Sequence, residues 1–213
     1  GMLITLTVMV PLELQLVGGL APAAVASHLI ALSLGPPVGS LFAGRRMART
    51  GRYRTLQMVG ALGNALAIGG LAVAIALDAP HGVGIALLFA AGATFGFQFP
   101  TTMVAIQSAA PPEHLGAAIA AINFVRSLGG ALGIALLSTL LLELLRFGAP
   151  EVAAGASGAD VMRALTATDA GELRARMQPV AEVAFEAIFA ICAASSLAAF
   201  ALFRAMPERP LRG

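Results

Sequence analysis

Long apolar runs broken by brief polar punctuation dominate the chain. Residues 14–44, 55–77 and 79–112 contain no Asp, Glu, Lys or Arg, and neither do 127–142 and 187–203. A hydrocarbon core about 30 Å thick takes about 20 apolar residues to cross as a helix. The pattern predicts six helical spans, at roughly 2–18, 21–44, 55–77, 82–108, 115–145 and 179–204. The fifth is longer than a perpendicular crossing needs, so it tilts or extends into water. The first is short and carries Pro11 and Glu13. A transmembrane barrel would instead need alternating segments of about 10 residues. These runs are unbroken and rich in Ala and Leu, both good helix formers, and lipid forces backbone hydrogen bonds to be satisfied internally. The expected fold is all-α: a polytopic transmembrane six-helix bundle over 1–205, with a polar tail at 206–213.

Composition supports a membrane protein. Of 213 residues, 58% are hydrophobic and 11% charged, with a mean hydropathy of +0.87. A soluble domain carries about 25% charged residues. An ordinary cytosolic enzyme, a disordered tail and a nucleic-acid binder are therefore excluded. Every basic residue is Arg, and five of them, Arg45, Arg46, Arg49, Arg52 and Arg54, crowd between the second and third spans with no acid among them. The positive-inside rule makes that turn cytoplasmic. Alternation then puts both termini in the cytoplasm and the 146–178 connection outside, where VMRALTATDAGELRARM reads as a solvated cap or a short surface helix. The Ala-rich, all-Arg composition points to a bacterial source and so to the cytoplasmic (inner) membrane. The first span lacks a basic flank of the kind that marks a signal peptide. It opens abruptly at residue 2, as a helix entered partway would, so the chain is expected to be a piece of something longer.

Candidate chemistry is sparse. One cysteine, Cys192, excludes a disulfide framework, and His28, His81 and His114 show no metal-ligand spacing. No P-loop and no nucleophile–base pair is readable, so neither catalytic residues nor a cofactor is expected. Three glycine pairs, Gly35/Gly39, Gly92/Gly96 and Gly129/Gly133, with Gly130 beside the last, have the spacing that lets helix backbones approach. Pro36-Pro37 and Pro100 lie inside spans and predict kinks.

Polar groups within spans are functional candidates by default. Arg126 falls about 16 Å along the fifth span. Asn123, Arg126, Gly130 and Gly133 fall within about 80° of the helical wheel. Either Arg126 meets an anionic substrate or a mobile carboxylate from this stripe, or it snorkels to the interface and bonds carbonyls. Glu13, near the outer end of the first span, is a proton-coupling candidate or a carboxylate close enough to the interface to stay hydrated. Gln15 lies roughly 200° from it on the wheel. Gln98, in the fourth span, is a further cavity candidate. Asn64 bridges helices. Glu182 and Glu186 make an acidic face at the entrance of the last span, and Glu143 and Arg146 sit at the interface.

The segment from Gly35-Pro-Pro-Val-Gly39-Ser-Leu-Phe-Ala-Gly44 into Arg45-Arg-Met-Ala-Arg49-Thr-Gly51-Arg52-Tyr-Arg54 resembles the inter-helix loop signature of the major facilitator superfamily. The acid expected near Gly44 is missing. Pro11-Leu-Glu-Leu-Gln15 with Gly18-Gly-Leu-Ala-Pro22, and Asn123-Phe-Val-Arg-Ser-Leu-Gly-Gly130 with Leu132-Gly133, resemble segments of the fourteen-helix drug:proton antiporters of the EmrB/QacA type. Glu13 stands where that family usually has an aromatic residue. The resemblance covers about 2–205. It implies the C-terminal six-helix half of an antiporter that exports small hydrophobic or cationic compounds against protons. Its partners would be the lipid bilayer, protons and the missing N-terminal helices. It further implies Gln15, Gln98, Asn123 and Arg126 as cavity residues. Two other readings stay open: a permease for an anionic metabolite, with Arg126 as clamp, and a non-transporting scaffold or partner subunit.

Overall fold

A computed structural model of the chain describes residues 2–77, 79–148 and 171–205. Apart from a 3-10 turn at Pro112–His114, the elements are α-helices: α1 Met2–Leu16, α2 Pro22–Thr50, α3 Tyr53–Ala76, α4 His81–Gly96, α5 Gln98–Ala109, α6 Leu115–Gly148 and α7 Gly171–Ala205. Among the described residues there is no strand. Five helical stretches are long and apolar enough to cross a bilayer: Ala23–Thr50, Tyr53–Ala76, His81–Ala109, Pro112–Phe147 and Gln178–Ala205. The sixth expected span is the shorter apolar helix Met2–Gln15. Large apolar side chains face outward around the bundle, with Leu66, Phe124 and Leu136 each about two-thirds exposed. Water would not tolerate such a belt on a monomer, whereas lipid does.

Three boundaries differ from the sequence pattern. The second span does not stop at 44. α2 continues through Arg45, Arg46 and Arg49 to Thr50, so the turn before α3 shrinks to Gly51 and Arg52. Arginines on the last turns of a helix complement the partial negative charge of its C-terminus. Gly51 ends the helix at φ 65°, where a glycine has no Cβ penalty, and its N–H donates to the Met47 carbonyl at 2.8 Å. The fourth span divides at Phe97 into α4 and α5. Pro100 explains the break, because it has no N–H for the Gly96 carbonyl and its ring crowds that carbonyl. The last helix starts at Gly171 rather than 179 and carries Pro179 within it. Residues 149–170, where the surface helix was expected to begin, and the tail at 206–213 lie outside the described residues.

The main core gathers α1, α2, α3, α4, α6 and α7 around Phe185, Phe189, Leu6, Met9, Ile68 and Leu88. A smaller cluster of Met47, Tyr53 and Leu56 packs on Val104 and Ala105 at the arginine end. α2 lies along α4 at backbone contact. A Cβ on Gly39 would overlap the Ala93 carbonyl, and one on Gly96 would overlap that of Pro36. Pro36 and Pro37 leave α2 continuous. The Leu32 carbonyl, which Pro36 cannot engage, lies against Gly92, where an added Cβ would sit 2.5 Å from its oxygen. Gly129 and Gly133 behave differently. A Cβ at Gly129 would meet nothing within 4 Å, and one at Gly133 would meet only the Thr5 hydroxyl, at 3.5 Å. Neither glycine of this third pair is at backbone contact with another helix here, while Leu141 and Leu145 further along α6 are buried in the core.

Two polar contacts tie distant segments. Asn64 of α3, 2% exposed, donates to the Ala91 carbonyl of α4 at 3.0 Å and accepts from Ser196 of α7 at 2.9 Å. Replacing Asn64 with Leu removes both bonds and is expected to cost about 1 kcal/mol. The check is the temperature at which the buried thiol of Cys192 becomes reactive to a fluorogenic maleimide; an unchanged midpoint would show the bridge to be idle. Arg54 donates to the carbonyls of Phe203 and Arg204, so it caps the C-terminus of α7 and joins the arginine turn to the far end of the chain. Arg146 pairs with Glu143 at 2.9 Å on the exposed face of α6, an arrangement worth at most about 1 kcal/mol.

Candidate functional site

The break at Phe97 sets the geometry. Ending α4 there and starting α5 at Gln98 exposes a patch of side chains toward α6. The result is a groove of about 200 Å³ lined by Phe95, Gln98, Phe99 and Thr102 on one side and by Ile122, Val125 and Arg126 on the other. The Arg126 guanidinium carbon stands 4.8 Å from the centroid of the Phe99 ring. A cation over an aromatic face is held by the ring quadrupole. Phe99 is in turn braced edge-on by Phe95, with centroids 5.5 Å apart. Phe97 turns the other way and stacks on Phe42 of α2 at 5.7 Å.

Arg126 is half-buried. Its guanidinium makes no hydrogen bond and no ion pair among the described residues, and the Gln98 amide makes no side-chain hydrogen bond among them either. A cation and an amide, both with free donors, therefore share one aromatic-walled groove. Such a set can hold an anion, a carbonyl-rich molecule or a flat apolar one by stacking.

The other predicted residues fall elsewhere. Asn123 is exposed on α6, one turn before Arg126, and does not line the groove. Gln15 is half-buried on α1 and lines none of the described cavities. Glu13 lines a separate cavity with His28, His81 and Gln178. Gly129 and Gly133 line an apolar groove between α6, α1 and α7 with Thr5, Leu136, Cys192 and others. Glu182 accepts a hydrogen bond from Gln178 at 3.0 Å. In the arginine turn, Arg45, Arg46, Arg49 and Arg52 are exposed and Arg54 is half-buried. Gly39 is packed against α4, whereas Gly44 has open space around it.

The sequence offered no metal-ligand spacing among its histidines, and among the described residues no cluster of His, Cys, Asp and Glu is arranged to hold a metal. It did not foresee that His28 and His81, far apart in the chain, come together, with ring centroids 6.4 Å apart. One signal was present. Both lie near the same end of their spans, the end opposite the arginine turn, as does Glu13.

The family model described as Major Facilitator Superfamily matches residues 1–134. The chain is 29% identical over 130 residues to the "MFS-type transporter ppz2" of Metarhizium majus (strain ARSEF 297), an alignment covering 61% of this chain and 22% of that protein. It is 29% identical over 131 residues to a "Tetracycline resistance determinant" of Streptomyces rimosus, covering 62% of this chain and 38% of that one. The aligned stretch thus spans well under half the length of these curated relatives. No solved structure matches. With described residues that are helical, an outward-facing apolar belt and a family match over more than half its length, the chain belongs to the major facilitator superfamily, a family of membrane transporters.

Proposed function

We propose that this chain is the C-terminal six-helix part of a larger proton-coupled exporter of hydrophobic, drug-like compounds, of the EmrB/QacA type, in a bacterial cytoplasmic membrane with both termini inside. Membership of the superfamily makes transport the frame, and the likeness to a protein named for tetracycline resistance favours drug-like cargo. The observation that carries the reading is the groove shared by Gln98 and Arg126 on facing helices, walled by Phe95 and Phe99. Transporter sites of this kind form between helical repeats near the midplane. On this reading Asn123 and Gln15 complete the cavity together with helices supplied by the rest of the transporter, and Glu13 takes and releases the coupled proton.

A second reading is a permease for an anionic metabolite. It is favoured by one fact: the guanidinium of Arg126 has no carboxylate partner among the described residues.

Vesicles with an imposed proton gradient separate these. The 213 residues alone are expected to move nothing. Joined to the helices that precede them in the whole transporter, they are expected to drive accumulation of a lipophilic cationic dye. Gradient-driven movement of an organic anion instead would establish the permease. Movement of neither by the joined protein would leave a scaffold and overturn the transport reading of this chain.

A further inference from the structure

At the end of the bundle opposite the arginine turn, a cavity of about 290 Å³ lies among α1, α2, α3, α4 and α7. It shares no residue with the Gln98–Arg126 groove. Among the described residues its polar lining is Glu13, His28, His81 and Gln178, its other walls are apolar, and no arginine borders it.

His28 is 2% exposed. Its Nδ1 lies 2.9 Å from the Ala24 carbonyl oxygen, one turn back along α2. A carbonyl only accepts, so Nδ1 carries the proton and donates it there. In the neutral ring Nε2 is then a bare lone pair. That atom is buried and has no donor among the described residues. An unpaired buried acceptor is uncommon in a native fold and calls for an explanation.

The neighbours do not supply one. His81 approaches edge-on at 6.4 Å between centroids, beyond hydrogen-bond reach of the ring nitrogens in that arrangement. The Gln178 amide is engaged with Glu182. Glu13 brings another acceptor, a carboxylate with no ion pair or side-chain hydrogen bond among the described residues. The cavity therefore presents two acceptors, negative charge and apolar walls. Each water of the liquid occupies about 30 Å³, so the volume suits a small organic molecule.

We propose that this cavity binds a small protonated amine, whose N–H donates to Nε2 of His28 and whose charge is balanced by the carboxylate of Glu13. The carbon skeleton lies against the walls formed by Leu14, Leu71 and Phe189. The donor requirement is the distinguishing feature. A permanently quaternary ammonium carries the same charge but has no N–H for Nε2. If the export reading holds, the site places an amine cargo on the residue proposed to carry the proton, so the two compete for Glu13.

The test is equilibrium binding to the whole chain in lipid nanodiscs, corrected against protein-free nanodiscs. The probes are N,N-dimethylbenzylamine, protonated at neutral pH, and benzyltrimethylammonium. The first is expected to bind about tenfold more tightly or better, the usual gain from a hydrogen bond to a charged donor. Glu13→Gln is expected to weaken both probes about tenfold. His28→Phe is expected to weaken only the amine and so erase the discrimination. Equal affinity of the two probes for the unaltered chain overturns the proposal, as does the absence of binding by either; neither result depends on a variant that folds. Because no transport is measured, failure here leaves the export reading standing, and failure of gradient-driven export leaves this site standing.

Discussion

Gly39→Leu is expected to unfold the α2–α4 pair and lower the temperature at which Cys192 reacts with a thiol dye by a large margin. The reason is local. α2 meets α4 backbone to backbone, and a Cβ on Gly39 would already overlap the Ala93 carbonyl. Two helices cannot part by one residue without losing the neighbouring contacts of Gly35, Gly92 and Gly96 as well. Overpacking of a tight core costs about 1–3 kcal/mol and sometimes more, and here the obstructing atom is backbone, which cannot rotate away. Gly44→Leu is the control. It sits on the same helix with nothing within 4 Å of an added Cβ, so the change gains helix propensity, up to about 1 kcal/mol. Cys192 is the reporter because it is the single cysteine and is 3% exposed. Similar midpoints for the two variants would show that the α2–α4 contact does not hold the bundle together.

Arg126→Ala is expected to reduce gradient-driven movement of a flat, carbonyl-bearing dye by the joined transporter about tenfold or more, the scale of losing one hydrogen bond from a charged donor in a site of low dielectric. The loss has two parts. The Phe99 ring loses the cation that stands with its guanidinium carbon 4.8 Å from the ring centroid, and the groove loses the one charge among its described lining residues. Arg126→Lys separates them, since a lysine keeps the charge but lacks the planar fork and stacks less well. Recovery by Lys would assign the effect to charge, and no recovery to shape. Unimpaired dye movement by Arg126→Ala would remove the groove from the cargo path.

The helices could be read from sequence because their physics is local. Runs without charge, long enough to cross lipid, leave few alternatives. Pro100 forecast the break at Phe97 for the same reason: a missing N–H acts within its own turn. Pro36 and Pro37 lie within a helix that stays continuous, and the Leu32 carbonyl that Pro36 leaves free lies against Gly92 of α4, a contact set by another helix. Gln98 and Arg126 could be singled out as polar residues in apolar runs, but their meeting depends on how α5 faces α6. The Arg54 contacts with the end of α7 depend on packing in the same way. His28 was the largest omission. Nothing near it in sequence distinguishes it, and only the tertiary fold brings Glu13, His81 and Gln178 around it. Gly129 has the spacing of a packing motif, yet a groove rather than a close backbone contact separates it from α1 and α7.

The proposed topology threads the chain repeatedly through lipid with its arginine turn in the cytoplasm. Ala48→Cys, exposed on the last turns of α2, in a Cys192→Ala background places one thiol beside that turn. A membrane-impermeant maleimide is expected to label it in inverted membrane vesicles and to leave it unlabelled in intact spheroplasts. Labelling in spheroplasts, or recovery of the protein in solution without detergent, would contradict the account.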